Sequence, residues 1–244
     1  MGRLAQTLGL LGTHMPGRPP EVEHVKRTFK AEVASARTLV DAVKTIPPKV
    51  RPTAAIGLHP KHLEQIVELA FMGVVSAWEE FLERTLVRYA AGAKCASTYA
   101  PTPKFGLANS MDHAYIVLSQ NPGFNSTKDY LKANDPRWVR STAEFLFSTH
   151  PYGCLQNKTE LIKHASSIRN RVAHNSTKCR ADFKATAIYF TQPPNDTLPQ
   201  GYNPGKLLLS TVTRHFDRHS IQQRISHIAA YFRMFELMAD EIVP

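Results

Sequence analysis

The sequence predicts a mainly α-helical fold, and three observations carry that prediction. Four long stretches repeat apolar residues at the helical period, the first two of them end at natural helix breakers, and strand-like runs are confined to one short region. The first stretch, residues 21–45, places Val22, Val25, Phe29, Val33, Ala36, Val40 and Val43 at helical spacing before the Pro47-Pro48 pair. The second, residues 60–91, opens on Pro60, where a first-turn proline is tolerated, and closes at Gly92. It sets Leu63, Val67, Ala70, Val74, Trp78, Phe81 and Leu82 on one wide face. The third, residues 158–174, carries Leu161, Ala165, Ile168 and Val172. The fourth, residues 217–242, repeats Ile221, Ile225, Ile228, Phe232, Phe235 and Ala239, with Asp217 as its N-cap.

The connections are less regular. Residues 93–157 read as an insertion with turns at Thr102-Pro103, Asn121-Pro122-Gly123 and Asp135-Pro136, and short helices near 127–134 and 137–149. Residues 185–191 and 207–213 read as short strands flanking QPPNDTLPQGYNPG, pairing as a β-hairpin over about 185–213. No internal repeat or low-complexity linker divides the chain. The expected organisation is an N-terminal tail, 1–20, followed by one helical domain, 21–244. The tail, MGRLAQTLGLLGTHMPG, has one basic residue and a short apolar patch, which makes a poor signal peptide and suits a tail or docking arm.

Composition narrows the class. A hydrophobic share of 43% with 20% charged residues is that of an ordinary globular chain. No apolar run approaches the ~20 residues that span a bilayer, so no membrane partner is expected. Three cysteines, Cys95, Cys154 and Cys179, are odd in number and lack metal-ligand spacing. That pattern favours free thiols in a reducing cytoplasm. The formal charge of +10 is spread along the chain, and it fits a polyanionic partner and a merely basic protein equally well.

The third helix carries chemistry in SSIRNRVAHNSTK. At about 100° per residue its core stripe is Leu161, Ala165, Ile168 and Val172, and Lys163, Ser167, Asn170 and His174 form a polar seam opposite. A core histidine is therefore disfavoured, leaving a solvated face or a polar surface that meets something else. Asn170 and His174 lie one turn apart. Arg169 lies about 140° around the helix from His174, so a shared site needs a distorted helix end, a wrapped arginine or a second chain. The Arg–His gap is common in itself: it recurs at Arg18…His24 and Arg214…His219. The middle occurrence differs in ending an amphipathic helix and continuing as Ala-His-Asn.

That context resembles the HEPN superfamily, many members of which carry Arg-polar-x3-His on a late helix of a helical bundle. Arg169, Asn170 and His174 match in order. The earlier AWEEFLERTL stretch is similar to HEPN proteins of the RiboL-PSP-like kind, with less specificity. Residues 20–92 and 158–242 fit the bundle; the insertion and the hairpin are not explained by it. The resemblance implies a metal-independent endoribonuclease without a cofactor. It also implies a homodimer with both motifs at a shared cleft, cleavage by 2′-hydroxyl attack to leave a 2′,3′-cyclic phosphate, and a toxin or antiviral-defence role with an antitoxin or defence-system partner.

The residue types suit such chemistry. His174 can move a proton near neutral pH, worth ~10²–10⁴ in rate. Arg169 would hold the scissile phosphate and stabilise its developing charge, and Asn170 would orient the imidazole or bind a phosphate oxygen. Arg171, Lys163, Lys178 and Arg180 are the candidates for guiding the RNA backbone. The second class of function is a catalytically inactive HEPN-like module that binds RNA, dimerises or scaffolds.

Other features read as structure. RHFDRH at 214–219 fits a basic helix entrance or an RNA contact. Glu79, Glu80 and Glu83 read as a solvated face, and Trp78 and Trp138 as core residues. The remaining histidines show no HExxH or paired Cys/His pattern, which disfavours a zinc enzyme, and no glycine loop suits an NTPase.

Overall fold

The computed structural model describes residues 21–49 and 57–244, so the expected tail, with Arg18 of the Arg18…His24 spacing, lies outside the described residues. The fold is mainly helical. Its helices are α1 (Glu23–Lys44), α2 (Pro60–Ala90), α3 (Met111–Ser119), α4 (Pro136–Leu146), α5 (Thr159–Ala173), α6 (Thr177–Thr191), α7 (Pro204–Leu209), α8 (Arg218–Gln222) and α9 (His227–Ile242). Two short strands, β1 (Thr102–Pro103) and β2 (Phe147–Thr149), pair antiparallel through Thr102 and Thr149. The first three expected helices thus stand within a few residues of their predicted ends, the ordinary uncertainty of helix termini.

By its contacts the chain divides into two compact units. The first comprises residues up to Phe29, Trp78–Thr159 and Leu237–Pro244. Its core holds Phe29, Trp78 and Phe81, with ring centroids 5.2–5.6 Å apart. Two buried tyrosines keep their hydroxyls satisfied, as burial requires: Tyr89 donates to the Ile242 carbonyl at 2.7 Å and Tyr152 to Thr85 Oγ1 at 3.0 Å. Trp78 is core as expected, whereas Trp138 is half-buried on a cleft with Val117, Leu118 and Phe145. Within the expected insertion, α3 was not foreseen; Ser110 caps it by accepting the His113 N–H at 3.0 Å. The helix expected near 127–134 is absent. Asn125 Oδ1 accepts the Thr127 N–H and the Asp129 carboxylate accepts the Asn125 N–H, so side chains hold this backbone in turns.

The second unit comprises Lys30–Ala77 and Glu160–Glu236. Tyr231 is at its centre, fully buried, meeting Phe71 and Phe216 edge-on at 5.2 and 4.9 Å and donating its hydroxyl to the Leu161 carbonyl at 3.2 Å. That bond ties α9 to the start of α5.

Two expectations are corrected in this unit. The hairpin over 185–213 does not form. Residues 177–191 are helical, with Phe183, Thr186, Ala187 and Phe190 buried at helical spacing, and Ser176 caps them through the Cys179 N–H at 3.2 Å. Residues 204–209 are also helical, with Asn203 capping α7 through the Lys206 N–H. The single helix expected over 217–242 is two. Asp217 does cap α8, but Arg224 turns left-handed at φ 49°, and the chain pairs back through Thr211 and Ser226 before α9 begins. Val212 N–H donates to Ile225 and His227 N–H to Ser210, both at 2.9 Å.

Candidate functional site at the α5–α6 corner

α5 follows a 3-10 segment, Pro151–Lys158, and packs through Leu161, Ile162, Ala165 and Ile168, all buried. Opposite them, Lys163 and His174 are exposed and Ser167 and Asn170 half-buried, which is the polar seam the sequence predicts. The helix stays regular to its end: His174 donates its backbone N–H to the Asn170 carbonyl at 2.9 Å. No bend at the C-terminus reduces the angle between Arg169 and His174.

His174, Asn175 and Ser176 make the whole connection between α5 and α6. So short a link forms a helical corner, and it places His174 beside the first turn of α6. Lys178 and Arg180 are exposed on that turn. Lys178 donates to the Asp182 carboxylate, which raises its pKa first by the hydrogen bond and then by charge. Arg180 Nη2 approaches Thr177 Oγ1 at 3.5 Å. Arg169 is half-buried with its Nε shielded from solvent. The corner thus has exposed His174 at the end of α5 and exposed Lys178 and Arg180 on the first turn of α6.

Of the other two expected RNA-guiding cations, Lys163 stands away from the corner and Arg171 lines a cleft while touching it. Lys163 is near the other end of α5, about 16 Å along the axis from His174, and pairs with Glu160 at 3.7 Å. Arg171 is half-buried on a cleft of about 250 Å³, lined also by Lys61, Glu64, Glu68 and Asn203. There Asn203 Nδ2 donates to Glu64 at 2.6 Å and the Gly205 N–H to Glu68 at 2.8 Å. Burial pushes the Glu68 carboxyl up, the Gly205 N–H pulls it down, Glu64 adds to the rise and Arg171 opposes it. Arg171 thus offsets part of the rise at Glu68, and its Nη1 also reaches the His174 carbonyl at 3.4 Å.

RHFDRH is a helix entrance, as expected. Phe216 is buried, Asp217 caps α8, and Arg214 donates to Gln192. Of the acidic residues on α2, Glu80 pairs with Arg84 at 2.8 Å on the surface. Glu83 is half-buried and accepts from Tyr115 at 3.3 Å; burial dominates in raising its pKa. All three cysteines are free.

A set of rings also gathers in the second unit. His164 Nδ1 lies 2.9 Å from Thr186 Oγ1 and its ring stacks on Tyr189 at 4.2 Å, while His215 stacks on Tyr189 at 3.9 Å. His227 is buried with Nδ1 at 2.9 Å from the Ser210 carbonyl. Burial lowers the pKa of both His164 and His227. Their spacing in sequence carries no signal, since four separate segments bring them together.

Among the described residues no helix is long and apolar enough to cross a membrane. No group of three or more His, Cys, Asp or Glu among them could hold a metal ion. Comparison with protein-family models, curated proteins and solved structures gives no match for this chain.

Proposed function

We propose that the chain is a metal-independent endoribonuclease of the HEPN kind, acting as a homodimer with the α5–α6 corners of two chains at a shared cleft. The observation that supports this reading most is the position of His174: an exposed imidazole at a tight helical corner, one turn beyond Asn170 and followed by a first turn of α6 that carries the exposed cations Lys178 and Arg180. The Arg169, Asn170 and His174 resemblance supplies the reaction. The ribose 2′-hydroxyl attacks the adjacent phosphorus, the 5′-oxygen leaves, and a 2′,3′-cyclic phosphate remains. One proton leaves the attacking oxygen and one reaches the departing oxygen, so a dimer supplies one His174 for each transfer. Arg169 bears on the charge that gathers on the phosphoryl oxygens, a role worth ~10²–10³ in rate. A second chain also removes the need for Arg169 and His174 of one helix to converge.

In the cell such an enzyme is a toxin or antiviral-defence effector restrained by a partner. Induced expression should arrest growth, and His174→Ala should relieve the arrest. Arrest that persists in His174→Ala contradicts the catalytic assignment. RNA binding without cleavage would favour the inactive RNA-binding module instead. DNA, which lacks the nucleophile, should not be cut.

A further inference from the structure

α5, α6 and the segment joining α7 to α8 contribute one ring each to a column: His164, Tyr189 and His215. Neighbouring rings are 4.2 and 3.9 Å apart at 30° and 20°, which is close, nearly parallel stacking. Each level is fixed from the side. His164 Nδ1 meets Thr186 Oγ1 at 2.9 Å, His215 Nε2 meets the Tyr189 carbonyl at 3.1 Å, and Phe190 stands edge-on to both histidines. His215 takes this place on a left-handed backbone, φ 68°, a conformation that side-chain-bearing residues adopt uncommonly.

The two ends of the column differ. Tyr189 is covered on both faces by imidazoles and His164 is half-buried, but His215 is exposed. The column therefore ends in a flat ring whose inner face is taken and whose orientation is set by a stack, a hydrogen bond and the backbone. Arg218, three residues from His215 in sequence, is exposed at the start of α8, and Lys163 adjoins His164 with its charge shared with Glu160. His164 and His174 are both in the α5 region, about 15 Å apart along its axis, a distance of a few nucleotides.

We propose that His215 is a stacking platform for an unpaired nucleobase of single-stranded RNA, which adds a fourth ring to the column. The site rests on the reading of the chain as RNA-binding and gives that reading a subsite away from the cleavage corner. Every base has a π face, so the platform accepts any of the four bases, and pairing of the strand into a duplex hides the face it needs.

The test uses the whole chain and a short fluorescent RNA with 2′-O-methyl riboses, which removes the nucleophile and leaves binding as the readout. His215→Asn deletes the ring with a residue that tolerates the left-handed backbone. It should weaken binding about tenfold or more at a temperature where the variant is fully folded, and His215→Phe should restore most of it. A single abasic position in the RNA should weaken binding to the wild-type chain by a similar factor and have no further effect on His215→Asn. Binding by His215→Asn within twofold of wild type overturns the platform, as does an abasic scan that is the same for both chains. If wild type binds and cleaves RNA while His215→Asn is unchanged, the platform alone falls. If wild type neither binds nor cleaves any RNA, the reading of the chain as RNA-binding falls with it.

Discussion

His174 and Arg169 are held differently, and the difference is measurable. His174 is exposed, so His174→Ala should leave stability within about 0.5 kcal/mol of wild type while reducing cleavage ~10²–10⁴-fold. Arg169 packs its stem with Nε shielded, so Arg169→Ala should lower both cleavage and stability, read by single-turnover assay and denaturant titration. The seam holding Asn170 and His174 was legible because a helix repeats every 3.6 residues, and one segment contains the whole pattern. The surroundings of Arg171 were not legible: Glu64, Glu68 and Asn203 meet it from distant stretches of the chain. The buried histidines set a second residue-level prediction. His164 and His227 have folded pKa values below the ordinary imidazole value of 6.5, chiefly through burial. Their neutral forms are favoured by folding, so this stability is present above about pH 6.5 and is lost as pH falls through the folded values. The thermal midpoint should drop between pH 7 and 5.5, and His227→Phe should flatten that drop. An unchanged slope in His227→Phe contradicts the assignment.

At the scale of the elements, α7 docks on α2 through a glycine. A Cβ on Gly205 would stand 2.6–2.7 Å from Glu64 Cβ, Cα and carbonyl oxygen, two of them backbone atoms that cannot swing aside. Gly205→Ala should destabilise the protein by about 1–3 kcal/mol in denaturant titration and loosen the cleft beside Arg171. A variant as stable as wild type would show that α7 is free to shift. The long helices α1, α2 and α5 were legible from period and punctuation alone. α6 was not, because ATAIYFT is rich in β-favouring residues and its helical period appears only when Phe183 and the Ser176 cap are included. The break between α8 and α9 was hidden for another reason. Apolar spacing continues smoothly from Ile221 to Ile228, and pairing of Thr211 with Ser226, a tertiary contact, interrupts the helix. Local pattern decides where helices can form, and such contacts decide where they stop.

For the molecule as a whole, the formal charge of +10 is strongly positive, and its consequence is a salt-dependent affinity for polyanions. The logarithm of RNA affinity should fall linearly with the logarithm of salt, by about 0.7 for each phosphate contacted on a single strand. Lys178→Ala and Arg180→Ala, both changes at exposed positions beside His174, should each reduce that slope by about 0.7. Slopes equal to wild type would remove the α5–α6 corner from the RNA path. The ring column was beyond the reach of sequence for the same reason as the Arg171 cleft, since folding and not spacing assembles it. The central claim concerns the chemistry at His174, and one measurement bears on it most directly. Purified protein is incubated with end-labelled tRNA and mRNA in EDTA, and the new ends are analysed. The account predicts cleavage that leaves 2′,3′-cyclic phosphate and is lost in both Arg169→Ala and His174→Ala; cleavage that EDTA abolishes, or that survives in His174→Ala, would contradict it.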